Sequence, residues 1–229
     1  MVPFREVIDL SHELFNNMPG VSETSTALFF PLDTHHRTST HSQGELSMEN
    51  KIILVSEHIG THFDAPYHFD PKGLTVDRYP VEKLVLPGHL LDFTGKGIRE
   101  AITRHDFEAA AERSGHKITP GTALIAWTGQ DRNWGKPGFA KERPFVDRQT
   151  AEWLVEQRIA LFGTDLIGID DPGDWRWTTH AMFLKNGLPM VQQLCNLDAL
   201  QGKDFYFVAL PLKIRDATGC PVRAVALVA

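Results

Sequence analysis

The chain has 229 residues, 42% of them hydrophobic and 23% charged, with 23 basic against 29 acidic side chains and a formal net charge of −6. That is enough material for one sizeable core in a single domain spanning 1–229, and too little net charge for a disordered chain. With no basic excess to neutralise phosphates, nucleic acid is excluded as the main partner, and with no apolar run near the ~20 residues of a spanning helix, so is membrane insertion.

The opening stretch carries Arg5, Glu6 and Asp9 where a signal peptide needs an unbroken apolar region. Cys195 and Cys220 are too few for a disulfide framework. Both readings favour a cytoplasmic protein. Ile52–Val55 is β-branched and apolar and reads as a buried strand. Leu84–Leu86 and His89–Phe93 read as two short strands joined through Pro87-Gly88. Thr103 and Asp106 form a capping-box pair that starts a helix ending near Gly115. Ala123–Thr128 reads as a strand, and Asp147 starts a second helix with Ala151, Leu154 and Val155 on its apolar face. Strands follow near Ala160–Gly163 and Leu166–Ile169, then a helix over Thr179–Asn186 stopped by Gly187. Two apolar strands, FYFVALPL and VRAVALVA, close the chain around a turn containing Asp216 and Gly219. Many short strands with three helices make an α/β or α+β domain.

Histidine is the anomaly. Six of the 11, His35, His36, His41, His58, His62 and His68, fall in one short stretch. In His58-Ile-Gly-Thr-His62-Phe-Asp64-Ala-Pro-Tyr-His68, Gly60 and Pro66 forbid a helix. As extended chain, His58, His62, Asp64 and His68 share one parity, and Ile59, Phe63, Ala65, Tyr67 and Phe69 take the other, toward the core. His62 and Asp64 then lie ~7 Å apart at Cα, close enough to share an ion, whereas His58 to His62 spans ~13 Å and requires a bend at Gly60. An irregular loop at a strand end is expected. Imidazole nitrogen and carboxylate oxygen without thiolate suit zinc, manganese or ferrous iron in an open site rather than a closed structural zinc. His35, His36 and His41, among Thr, Ser and Arg, read as a solvated loop.

Outside this segment, His180 follows Trp-Arg-Trp-Thr-Thr at or just before a helix start, where a capping or packing role is the plain reading. Asp165 could orient a histidine, while Asp170 and Asp171 read as turn residues beside Pro172-Gly173. Phe15, Phe29, Phe30, Trp175 and Trp177 could wall an aromatic pocket but, as aromatics, each belongs more readily to the core. Arg223 could bind a carboxylate or pair with an acid.

HIGTHFDAPYH resembles the H-x-G-T-H-x-D-x-P-x-H signature of the cyclase family of metal-dependent hydrolases, which includes bacterial kynurenine formamidases and isatin hydrolases. DLSHEL at Asp9–Leu14, MPG at Met18–Gly20, GTDLIGIDDP at Gly163–Pro172, HAMFLKNGLPMV at His180–Val191, CNLDAL at Cys195–Leu200 and PLKIRDATGCPVRAVAL at Pro211–Leu227 extend the likeness over the whole chain. The resemblance implies an α/β fold of swivelling β/β/α type, with a mixed sheet forming a partly open barrel, assembled as a homodimer or homotetramer. It implies one divalent metal, manganese or zinc, on His58, His62 and Asp64, with His68 and His180 as catalytic histidines and a small amide, formamide, cyclic amide or lactone as substrate. In two-metal members a glutamate joins the matches to Asp64, His68 and His180. Here that position is Gln192, followed by Gln193, and a neutral amide holds a second dication less well. One strongly held metal, with Gln192 as ligand or orienting group and at most a weaker second ion, is therefore expected. Cys220 occupies a slot where small polar residues are common, or simply packs. The alternatives are a polyketide-type cyclase or lyase using the same pocket and, third, a non-catalytic metal-binding protein.

Overall fold

A computed structural model describes residues 4–18, 20 and 26–229. Pro19 of the MPG stretch lies outside the described residues, as do residues 1–3 and 21–25. In chain order the elements are β1 (Glu6–Asp9), β2 (Ala27–Asp33), α1 (His35–Ser39), β3 (Asn50–Val55), β4 (His62–Asp64), β5 (Val85–Asp92), β6 (Ala101–Ile102), α2 (Arg104–Ser114), β7 (Ala123–Trp127), β8 (Phe145–Val146), α3 (Arg148–Glu156), β9 (Leu161–Thr164), α4 (Thr178–Lys185), β10 (Met190–Gln192), β11 (Phe205–Val208), β12 (Gly219–Pro221) and β13 (Val225–Val228). Nine strands form one mixed sheet in the order β1-β13-β11-β5-β7-β9-β10-β4-β12, curled into a half-barrel. The α/β class and partly open barrel expected from the sequence are what the fold has.

Alternation along the strands divides the core. Ala123, Ile125 and Trp127 of β7 point into the curl with Phe63 and Val191, whereas Leu124 and Ala126 point to the other face, against Phe107, Leu154 and Phe183 of the helices. Met190 shares this helix-facing side. Thr103 caps α2 with a reciprocal capping box to Asp106, and Gly115 ends it at φ +72°. Asp147 caps α3 by accepting from the Thr150 amide. None of the helices among the described residues is long and apolar enough to cross a membrane.

Four readings of the sequence need correction. Ile52–Val55 is in a strand but not a buried one: among the described residues β2 and β3 pair only with each other, outside the main sheet, and Ile52, Ile53 and Leu54 are more than half exposed. Pro87-Gly88 does not break β5. The first half of β5 pairs with β11 and the second half with β7, so the missing Pro87 N–H falls where only one side is paired. Gly88 is needed there because a Cβ would enter the Phe205 ring. Leu166–Ile169 is a buried irregular loop, turned by Gly168 at φ +94°, rather than a strand. Finally, β11 and β13 are paired antiparallel as neighbours, but the chain between them crosses to the far edge of the sheet and forms β12 beside β4. It is this excursion that brings Thr218 and Gly219 to the histidine segment.

Candidate metal centre

The bend required between His58 and His62 occurs at Gly60, which has φ +61° and where a Cβ would lie 2.7 Å from Leu14 Cδ2. β4 then carries His62 and Asp64 side by side on the helix-facing side, while Ile59, Phe63 and Ala65 are fully buried. Past Ala65 the parity ends, because Pro66–His68 forms a 3₁₀ turn that leaves Tyr67 exposed instead of in the core. The turn folds His68 back over His58, with ring centroids 3.9 Å apart. β10 lies antiparallel to β4 and places Gln192 opposite His62. α4 brings His180 over the same end of the sheet, between Phe69 and Trp177, whose ring centroids lie 5.7 and 5.5 Å from its own.

Asp64 Oδ1 lies 2.6 Å from His58 Nδ1 and 3.2 Å from His62 Nε2. His62 donates its Nδ1 proton to the Gly60 carbonyl at 2.7 Å, so Nε2 turns a lone pair toward an oxygen that is itself an acceptor. Such a cluster is repulsive unless something positive occupies it, and the three ligand atoms fall within 4.8 Å of one another. The same need shows in their proton affinities. Burial works against charge on His62, yet the Asp64 carboxylate and its hydrogen bond hold the imidazole above its usual value. Burial likewise works against an ionised Asp64, and the two imidazoles hold it well below the usual carboxylate range. The residues fit a single divalent cation bound by nitrogen and oxygen.

Gln192 faces this cluster with its amide nitrogen, which bonds Asp64 Oδ2 and lies 3.0 Å from His180 Nε2. Both partners are acceptors, so the amide can only present its two N–H groups to them. In this arrangement Gln192 presents donors to both Asp64 and His180. His180 is held from behind by Asp170, whose Oδ2 accepts a hydrogen bond from Nδ1–H and whose Oδ1 accepts from the Thr179 and His180 amides at 2.6 and 3.1 Å. Asp170 is therefore no mere turn residue. Asp165, expected to orient a histidine, instead accepts from Thr128 N, Thr128 Oγ1 and Gln130 N, and burial pushes its carboxyl up to about 6. The two aspartates exchange roles because Asp165 directly follows β9, next to β7, whereas Asp170 lies five residues on, under α4. Asp171 stays in the turn, bonded to Gly173 N and Arg99. Burial and the neighbouring His58 push the His68 imidazole down to about 4.

The remaining candidates, Trp177 apart, lie elsewhere. His35 and His36 are in α1, and His41 is in the 3₁₀ turn after it, all exposed in the β2–β3 connection; the segment is helical rather than a loop. Phe15, Phe30, Trp175 and Trp177 are exposed, and Phe29 is half-buried against the small cluster of Met18, Ala27 and Ile59. Arg223 forks onto Asp9 through Nε and Nη2 at 2.6–2.9 Å. Cys195 and Cys220 are free thiols, and Cys220 packs in the core. Glu57 and Thr218, which touch the cluster, carry no sequence signal.

The family model described as "Putative cyclase" matches residues 8–171. A kynurenine formamidase from Bacillus cereus is 29% identical over 223 residues, covering 96% of each chain. Among solved structures, isatin hydrolase A from Ralstonia solanacearum superposes with a TM-score of 0.84 at 25% identity, covering 98% of this chain and 92% of that one. An isatin hydrolase bound to the product analogue thioisatinate gives 0.85 at 24% identity, covering 96% and 91%.

Proposed function

The chain belongs to the cyclase family, and from that premise we propose that it is a metal-dependent hydrolase opening an amide, formamide, cyclic amide or lactone bond in a small aromatic or cyclic substrate. The observation that carries this reading is the convergence of His58 Nδ1 and His62 Nε2 on Asp64 Oδ1. Those three residues would hold one manganese or zinc ion. Bound there, the ion supplies a Lewis acid that acidifies water and polarises the carbonyl under attack. The names of the relatives, a formamidase and isatin hydrolases, support carbon–nitrogen cleavage.

The chain's own groups do the rest. Asp170 holds a proton on His180 Nδ1, leaving Nε2 as the atom that receives a proton. Gln192 ties that Nε2 to Asp64, so base and ligand keep a fixed spacing, and its N–H groups stand where a second cation would need acceptors. His68, uncharged near neutrality, shuttles a proton to the leaving nitrogen or oxygen.

Chelation should abolish hydrolysis, and added manganese or zinc should restore it, in a screen of N-formylkynurenine, isatin and simple lactones. His62→Ala should lose both metal and activity. Oxygen-18 from water should enter the product. Full activity in metal-free protein would overturn the proposal, and turnover without label would favour the cyclase reading.

A further inference from the structure

Each histidine of the cluster meets the carboxylate through a different nitrogen, and the structure shows what selects it. His62 is fixed by the Gly60 carbonyl. His58 is fixed by residues that adjoin it only through β12. Thr218 Oγ1 lies 2.9 Å from His58 Nε2 and donates its one proton to Glu57 Oε2, which also accepts the Thr218 amide at 3.0 Å. A hydroxyl that has given its proton to a carboxylate can only accept from a third group. The proton on His58 is thereby assigned to Nε2, and the lone pair to Nδ1. Glu57 Oε2 itself lies 4.0 Å from Nε2 and favours a proton there.

Sterics supply the second half of the clamp. Gly219 pairs with Asp64 in the β12–β4 ladder, and a Cβ on it would fall inside the His58 ring. The imidazole therefore lies flat between the Gly219 backbone and His68. Thr218 is held in place by its carbonyl, which accepts from Ala65 N at 3.0 Å.

Resting on the metal reading above, we propose that Glu57, Thr218 and Gly219 are positioning residues that make His58 a ligand through Nδ1. Thr218→Val keeps the shape and the backbone bond to Glu57 but removes the hydroxyl, and Thr218→Ser restores it. Long-range nitrogen–proton spectra of the imidazole-labelled protein at neutral pH should show the His58 proton on Nε2 in the wild type and Thr218→Ser, and a mixture of tautomers in Thr218→Val. Competition titration with manganese should give Thr218→Val an affinity lowered by about 10- to 100-fold and Thr218→Ser one within a few-fold of wild type. Unchanged near-ultraviolet circular dichroism would show that the variants fold. Equal affinities and tautomers in wild type and Thr218→Val would overturn the clamp while leaving the metal site intact. Wild-type protein that binds no manganese or zinc would overturn the metal reading, and the ligand assignment with it.

Discussion

Asp170 is the side chain whose replacement separates orientation from folding most cleanly. Asparagine in its place keeps an oxygen for the Thr179 and His180 amides but turns N–H groups toward His180 Nδ1, pushing the ring proton to Nε2, where it meets the Gln192 amide donors. Asp170→Asn is expected to lower turnover by about 10- to 100-fold with an unchanged thermal midpoint; turnover within twofold of wild type would contradict this. His12 gives a different kind of test. It stacks on Trp134 with ring centroids 4.0 Å apart, its buried Nε2 finds no partner among the described residues, and burial pushes it down to about 4 despite Asp131. Between about 4 and the unfolded value near 6.5 the unfolded chain binds the extra proton, so this group's contribution to stability rises with pH across that window and is lost as pH falls through it. His12→Phe keeps the stack and removes the titration. Urea midpoints at the two ends of the window should then differ less than in wild type; an unchanged difference would contradict the account.

β5 shows why local punctuation misleads. Pro and Gly side by side ordinarily mark a turn, yet here one sits where a neighbour is missing and the other makes room for Phe205, neither of which is visible along the chain. Gly88→Ala should cost about 1–3 kcal/mol, read as a lower urea midpoint at an unchanged slope, and an unaltered midpoint would contradict the packing argument. α2 and α3 were legible for the opposite reason. Thr103, Asp106, Gly115 and Asp147 act within their own turns, so capping chemistry written in four residues is capping chemistry in the fold. The metal cluster is equally local, running from His58 to Asp64, and its bend at Gly60 follows from reach alone. Asp170, Glu57 and Thr218 were not legible, because their partners are selected by α4 and by the crossing of the chain to β12.

At the scale of the molecule, an apolar surface stands open among the described residues. Among them, the β2–β3 ribbon stands outside the nine-stranded sheet and exposes Phe30, Ile52 and Leu54 on one face and Ile53 on the other. In the homodimer or homotetramer that the resemblance implies, a second copy of the chain would cover the Phe30, Ile52 and Leu54 face. Ile52→Lys is expected to move the sedimentation coefficient of the purified protein toward that of the monomer. A monomeric wild type, or an assembly indifferent to the charge, would contradict that role.

The central claim is that His58 Nδ1, His62 Nε2 and Asp64 share one divalent cation. Crystals of manganese-loaded protein, with data collected at the manganese absorption edge, measure this directly. The account predicts one anomalous peak per chain bounded by those three groups, with Gln192 still bridging Asp64 and His180. No peak among them, a peak elsewhere, or a second peak of equal height at Gln192 would contradict it.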